Sequence, residues 1–149
     1  MKRFSFIWIL VTMALQAMAQ QGLAVNKVFE GLVVPPEKMV ETRVRGRDIA
    51  KFQLSYFRSL RFHCTPAQAE EIFTLVEKEK SLKSVRSGSA YPESKEARTL
   101  MVQLPPSAKG NRFVCVKAKR TGKNELQMIL IYMEGKLDSL DKLAEILKN

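Results

Sequence analysis

The second half of the chain constrains the fold most, because it contains three strand-like runs in close succession. Thr99–Leu104 is largely apolar and ends at two prolines, Arg112–Lys119 alternates apolar and polar residues, and Leu126–Met133 is almost continuously apolar. Alternation is typical of a strand with one buried face, and a continuous apolar run is typical of a strand covered on both faces. Short links around Gly110-Asn111 and Gly122-Lys123-Asn124 favour antiparallel neighbours. We therefore expect an antiparallel sheet with Leu126–Met133 as a central strand.

Two earlier segments add to this sheet. From Met39 to Gly46, valine and threonine alternate with charged residues, which predicts a strand with one charged face. Leu54–Cys64 fits either a helix or a strand, and we favour a short helix followed by a strand over Phe57–His63. The segment from Ser84 to Glu96 is polar and contains Gly88 and Pro92, so it is interpreted as a loop.

The helices are predicted from their caps and their periodicity. Thr65-Pro66-Ala67-Gln68 has the pattern of a capping box, and an apolar stripe at helical spacing follows it through Val76. A last helix begins after Asp138 and Ser139. Residues 22–36 are interpreted as a short N-terminal helix followed by a Pro-Pro connector.

The order of these elements predicts an α+β domain. We expect an antiparallel sheet of about four to five strands with helices packed mainly on one face. The chain has 149 residues, a length typical of one domain, and residues 20–149 are assigned to it.

Residues 1–19 have the three parts of a signal peptide in the correct order. Lys2 and Arg3 precede an apolar stretch over residues 4–15, and Ala17-Met18-Ala19 is a small-x-small cleavage pattern. The alternatives are an uncleaved anchor or a buried N-terminal helix, but the apolar stretch is short for a membrane span and two glutamines follow it. We expect an exported protein, periplasmic or secreted, that is not an integral membrane protein after cleavage.

The whole layout resembles a family of small exported proteins of unknown function from anaerobic gut bacteria. The resemblance is carried by the signal peptide and by four segments of the remaining chain: 23–30, Arg45-Gly46-Arg47 with Leu54 and 57–62, 103–106, and 131–136. The resemblance implies export and a single α+β domain. It gives no information about an activity, a cofactor or a partner.

Residue types that carry chemistry are sparse. The chain has one histidine, His63, and a triad would need it beside an activated serine or beside Cys115. Carboxylate pairs such as Glu70-Glu71 and Glu93 with Glu96 are more typical of a solvated surface than of a glycosidase. We predict no catalytic residue, no metal site and no cofactor.

The two cysteines have two interpretations. Export would place Cys64 and Cys115 in an oxidising compartment, where they could form a disulfide that stabilises the fold by about 3–4 kcal/mol. Alternatively they are two buried free thiols that pack as small apolar groups.

Basic residues are in excess, with 25 Lys and Arg against 15 Asp and Glu, and a formal net charge of +10. Such an excess attracts anionic lipid, acidic polysaccharide or nucleic acid, and export argues against nucleic acid. The alternative is a solvated basic surface without a ligand. The candidate binding residues fall in two groups, a basic strand and a predicted hairpin: Arg43, Arg45, Arg47; Lys117, Lys119, Arg120 and Lys123.

These features favour an exported, non-enzymatic protein of the cell envelope that acts as a protein-interaction or accessory module. Its partner would be an envelope protein or a second copy of the chain. The alternative function is electrostatic binding of anionic lipid or acidic polysaccharide through the basic strand and hairpin. A small hydrolase is the less favoured third interpretation.

Overall fold

The computed structural model describes residues 23–87 and 97–148, which form a six-stranded antiparallel sheet with four helices. The predicted signal peptide and the carboxylates Glu93 and Glu96 lie outside the described residues. In chain order the elements are α1 (Asn26–Phe29), a 3-10 turn (Pro36–Lys38), β1 (Met39–Arg45), α2 (Arg47–Ala50), β2 (Leu54–Cys64), α3 (Pro66–Glu77), β3 (Lys83–Ser87), β4 (Arg98–Ser107), β5 (Gly110–Gly122), β6 (Glu125–Gly135) and α4 (Leu140–Lys148).

The strand order across the sheet is β1-β2-β6-β5-β4-β3, and every neighbouring pair is antiparallel. The predicted α+β class and the antiparallel sheet are confirmed. Strand β6 pairs with β2 on one side and β5 on the other, so the continuous apolar run is the central strand that it predicts.

The predicted count of four to five strands is wrong, because the sheet has six. The missed strand is β3, which lies where a loop is predicted. Its sequence, Lys-Ser-Val-Arg-Ser, contains one apolar residue, Val85, and its pairing with β4 along its whole length supplies the stability that its composition lacks.

Two strand boundaries also differ from prediction. Strand β2 begins at Leu54, with a register irregularity before Tyr56, where a helix is expected. Strand β4 continues through Pro105 and Pro106 to Ser107, although prolines usually end a strand. The pairing between β3 and β4 reaches only Gln103, so β4 has no β3 residue opposite the prolines and their missing N–H groups cost no ladder bond there.

The two faces of the sheet are covered differently. One face, here called the covered face, packs Leu60, Phe62 and Leu130 against α1 and against Ile72 and Phe73 of α3. The other, here called the half-open face, packs strand residues that include Met101, Phe113 and Met133 against α2 and α4. The helices therefore lie on both faces rather than mainly on one, because β5 and β6 bury apolar side chains on both sides.

Helix α3 begins with the predicted capping box. The Gln68 backbone N–H donates to Thr65 Oγ1 at 3.2 Å, and the Thr65 backbone N–H donates to Gln68 Oε1 at 3.0 Å. Arg98 attaches the helix to β4, since its Nη1 is 2.6 Å from Glu70 Oε1 and its guanidinium lies 3.8 Å from the Phe73 ring centroid. These contacts fix α3 across the covered face.

Candidate functional site

The most distinctive surface is the part of the half-open face that α4 leaves uncovered. The strand register places one row of side chains across five strands there: Val40, Arg61, Ile129, Lys117 and Thr99. Arg61 and Lys117 are exposed, and Ile129 between them is half-buried. Because neighbouring strands are about 4.8 Å apart, the Cα atoms of Arg61 and Lys117 are about 10 Å apart on either side of β6.

The next row along the sheet is also basic. It consists of His63, Gln127 and Lys119, paired in register across β2, β6 and β5. Together the two rows form a surface with basic side chains around one isoleucine. We call this surface the basic platform, and its residues are Arg61, His63, Lys117, Lys119, Gln127 and Ile129.

The charge of the basic platform is only partly balanced. His63 Nδ1 lies 2.7 Å from Glu125 Oε1, and both side chains are more than half exposed. Among the described strands, Glu125 is the one acidic residue whose side chain faces this side of the sheet. Arg61, Lys117 and Lys119 therefore give the platform a net positive charge.

The predicted basic strand is divided by the structure. Arg43 and Arg45 lie on the covered-face side of β1, whereas Arg47 has left the strand and belongs to α2, after Gly46 turns the chain with φ of +79°. The assignment of Arg47 to the basic strand is therefore wrong.

Both arginines of β1 have neighbours within the chain. Arg43 Nε is 3.0 Å from Glu41 Oε1, which also accepts a hydrogen bond from Arg58 Nε. The Arg45 guanidinium lies 4.8 Å from the Tyr56 ring centroid. Burial acts to raise the pKa of Glu41, but the bonds from Arg58 and Arg43 outweigh it and hold the pKa below its ordinary value.

The predicted hairpin group is divided as well. Lys117 and Lys119 point from β5 into the basic platform, and Lys123 lies in the turn between β5 and β6. Arg120 falls on the opposite face, and its Nε is buried without a hydrogen-bond partner among the described residues. The two predicted basic groups therefore do not form one surface. The basic platform combines Lys117 and Lys119 with Arg61 and His63, which were not among the predicted binding residues.

The two cysteines lie in different parts of the core, which favours the interpretation as buried free thiols over a disulfide. Cys64 belongs to the core of the covered face and Cys115 to the core of the half-open face, and both are free thiols. Burial raises the pKa of Cys64 to about 11 and that of Cys115 to about 12. Both groups are therefore neutral thiols at physiological pH, as in the apolar interpretation.

A buried polar network was missed by sequence reasoning. Glu134 is 5% exposed, and its Oε1 accepts a hydrogen bond of 2.6 Å from the hydroxyl of Tyr132. Arg112 lies opposite Glu134 in the register and donates from Nε to the Pro105 carbonyl at 2.8 Å. The pKa of Tyr132 is raised by burial and by the Glu134 carboxylate. The network joins β4, β5 and β6 inside the fold.

The structure separates the residues that were considered for a catalytic triad. His63 lies at the end of β2 beside Glu125, two rows away from the buried Cys115. Within residues 23–87 and 97–148 no three His, Cys, Asp or Glu side chains converge as metal ligands. Over the same residues no helix has both the length and the apolar character that a bilayer span requires.

The comparison with protein families finds a match that covers most of the chain. A model for a family of unknown function, DUF6108, matches residues 12–147. This confirms the predicted resemblance at the level of a family without an assigned function, and the predicted source and export signal stay predictions. No curated protein and no solved structure matches the chain.

Proposed function

Since the chain belongs to the family of unknown function DUF6108, we propose from its geometry that it is a non-enzymatic protein-interaction module of the cell envelope. The N-terminal segment and the resemblance to exported proteins of anaerobic gut bacteria support export. The observation that carries the proposal is the basic platform, a part of one sheet face that the described helices leave open.

The composition of the platform favours an acidic protein surface as the partner. Ile129 lies half-buried in the centre of the basic platform, between the exposed cations Arg61 and Lys117. A protein partner covers such an apolar centre and places carboxylates opposite the cationic rim. The exposed side chains therefore match a protein interface with a small apolar core and a charged edge.

Anionic lipid or acidic polysaccharide is the second candidate ligand. It is favoured by the three platform cations, Arg61, Lys117 and Lys119, which are exposed to solvent. Among the described strand residues of this face, the one acidic residue is Glu125, which lies beside His63. Binding of this kind depends on charge alone. It falls steeply as the screening length drops from about 8 Å at physiological ionic strength to about 3 Å at 1 M salt.

The experiment is site-specific photocrosslinking in the native host. A photoreactive residue at Ile129 should capture one dominant protein, and the same residue at Glu71, exposed on α3, should not. The charge-reversed variant Lys117→Glu/Lys119→Glu should lower the yield about tenfold or more. Its matched control is Lys78→Glu/Lys80→Glu, which changes the net charge equally at the far end of α3 and should leave the yield unchanged.

A third variant separates the two candidates. Ile129→Ser removes the apolar centre without changing charge, so it should weaken a protein partner and leave lipid or glycan binding intact. Equal crosslinking from Ile129 and Glu71, or loss of the partner in the Lys78/Lys80 control, would contradict the proposal. If the protein binds only to vesicles that contain anionic lipid, and about 1 M salt abolishes this binding, the result would contradict a protein partner and favour anionic lipid as the ligand.

A further inference from the structure

The outer edge of β1 is a second surface that the described residues leave open. Strand β1 is the first strand of the sheet and pairs with β2 along seven positions, from Met39 opposite Phe62 to Arg45 opposite Tyr56. On its other side, no strand within residues 23–87 and 97–148 pairs with it. Its Val40 side chain is 67% exposed. Half of the peptide groups of such an edge point outward and can pair with another strand.

We propose that this edge pairs antiparallel with β1 of a second copy of the chain, in a register centred on Thr42. In this register Glu41 faces Arg43 of the second copy, and Val40 faces Val44 of the second copy. Each of these contacts occurs twice because of the two-fold symmetry. All seven residues of the strand take part, since Thr42 is its midpoint.

The neighbouring registers are disfavoured by charge. Residues that lie directly opposite each other in a sheet must belong to the same face, so the pairing can shift only to centres on Glu41 or Arg43. A register centred on Glu41 places this residue opposite Glu41 of the second copy. A register centred on Arg43 places this residue opposite Arg43 of the second copy. Like charges directly opposite destabilise a strand pair, whereas opposite charges and β-branched pairs stabilise it.

Local contacts hold the side chains in place for this pairing. Arg58 of β2 is directly opposite Arg43 within the chain, and both arginines bond the same Glu41 oxygen. The Glu41 carboxylate is therefore fixed on the covered-face side of β1, where Arg43 of the second copy would arrive. The other edge strand, β3, spans five residues and contains no acidic residue, so it offers no equivalent pairs.

The symmetry has a geometric consequence for the whole assembly. The two-fold axis passes between the two Thr42 residues, perpendicular to the sheet, so the six strands of each copy join into one continuous sheet. The half-open faces of both copies then lie on the same side. Pairing along seven residues buries less surface area than a standard interface, which buries about 1,600 Å². We therefore expect a reversible dimer that forms as the protein concentration rises.

Sedimentation equilibrium of the purified chain over a range of concentrations tests the proposal. Arg43→Glu places like charges opposite each other and should weaken the dimer about tenfold or more. Glu41→Arg should weaken it similarly. The charge swap Glu41→Arg/Arg43→Glu restores opposite charges across the axis and should recover the wild-type dimer constant within about threefold. Circular dichroism verifies that each variant is folded.

Cysteine crosslinking tests the register. Thr42→Cys places two thiols opposite each other at the axis, with Cβ atoms about 5 Å apart, and should give a covalent dimer on mild oxidation. Ser84→Cys, exposed on the other edge strand, is the matched control and should stay monomeric. The native cysteines are buried and should not react. A monomer at every concentration, a dimer indifferent to Arg43→Glu, or crosslinking at Ser84→Cys instead would each overturn the proposal.

Discussion

The two faces of the sheet are covered by helices to different extents. On the covered face, α1 and α3 pack over β2, β4, β5 and β6, and Ile72 and Val76 of α3 are fully buried. On the half-open face, α4 and the short α2 cover one half, and the remaining half carries the basic platform.

This difference separates a face that stabilises the fold from an open area that we propose for recognition. The covered face has a continuous apolar layer, whose burial contributes about 25 cal/mol per Å² to folding. The open half carries arginine and lysine in place of that layer, and Ile129 between them is partly exposed. Substitutions should therefore cost most stability on the covered face and least on the platform.

The largest loss is expected in the core of the covered face. Phe73→Ala removes a ring that is 2% exposed and lies beneath Arg98, so the free energy of unfolding should fall by about 3–5 kcal/mol. Urea denaturation followed by circular dichroism measures it. Thr74→Ala, on the solvent side of the same helix, should change it by less than about 0.5 kcal/mol.

The covered half of the other face should show a smaller effect, because only one long helix packs there. Leu140→Ala empties a position that is 1% exposed, and we expect a loss of about 2–3 kcal/mol in the same assay. Ile129→Ala on the platform should cost less than about 1 kcal/mol, because its side chain already contacts solvent. Equal losses at the two sites would show that the open half is covered in solution.

The N-terminal cap of α3 should contribute less to the free energy of unfolding than the core does. Thr65→Ala removes the oxygen that accepts the Gln68 N–H bond, and the expected loss is about 1 kcal/mol. Thr65→Asp retains an acceptor at the cap and should recover most of this loss. If both variants lose the same stability, the capping box is not the cause.

Glu41 of β1 should make a still smaller contribution to the free energy of unfolding, and this contribution should depend on pH. The pKa of Glu41 lies below its ordinary value of 4.5 in the folded chain, so the carboxylate stabilises the fold above that value. This contribution is lost as the pH falls through the lowered pKa, and it should be below about 1 kcal/mol because the group is largely exposed. Glu41→Gln should lower the stability near neutral pH and remove this part of the acid dependence. An unchanged acid profile in Glu41→Gln would refute the assignment.

The smallest effect is expected from a reductant. Because Cys64 and Cys115 lie on opposite faces of the sheet, dithiothreitol should change the unfolding free energy by less than about 0.5 kcal/mol. A disulfide between them would contribute about 3–4 kcal/mol and be lost on reduction. Thiol titration of the unfolded chain under nonreducing conditions should find both cysteines reactive.

Local signals account for the parts of the fold that sequence reasoning predicted. The Thr65–Gln68 capping box involves atoms within four residues, so its pattern is sufficient to identify the start of α3. The run of β6 is apolar on both faces because one face is buried throughout and the other is partly covered, and this pattern can be read from the sequence. The Glu41–Arg45 alternation likewise predicted which side chains of β1 share a face.

Long-range pairing accounts for the parts that sequence reasoning missed. Strand β3 depends on β4 rather than on its own composition, and Pro105 is tolerated because β3 does not extend to it. The basic platform joins Arg61 and Lys117, which are far apart in sequence and adjacent only through the register of β2, β6 and β5.

The sequence by itself therefore determined the class of the domain, the central strand and the position of the main helix, because periodicity and capping act within a few residues. The tertiary structure alone decided that Cys64 and Cys115 are separated by the sheet, that Arg61 joins the lysines of β5, and that β1 lies at an edge. Strand order and register control these outcomes, and they result from the packing of the whole sheet rather than from any one segment.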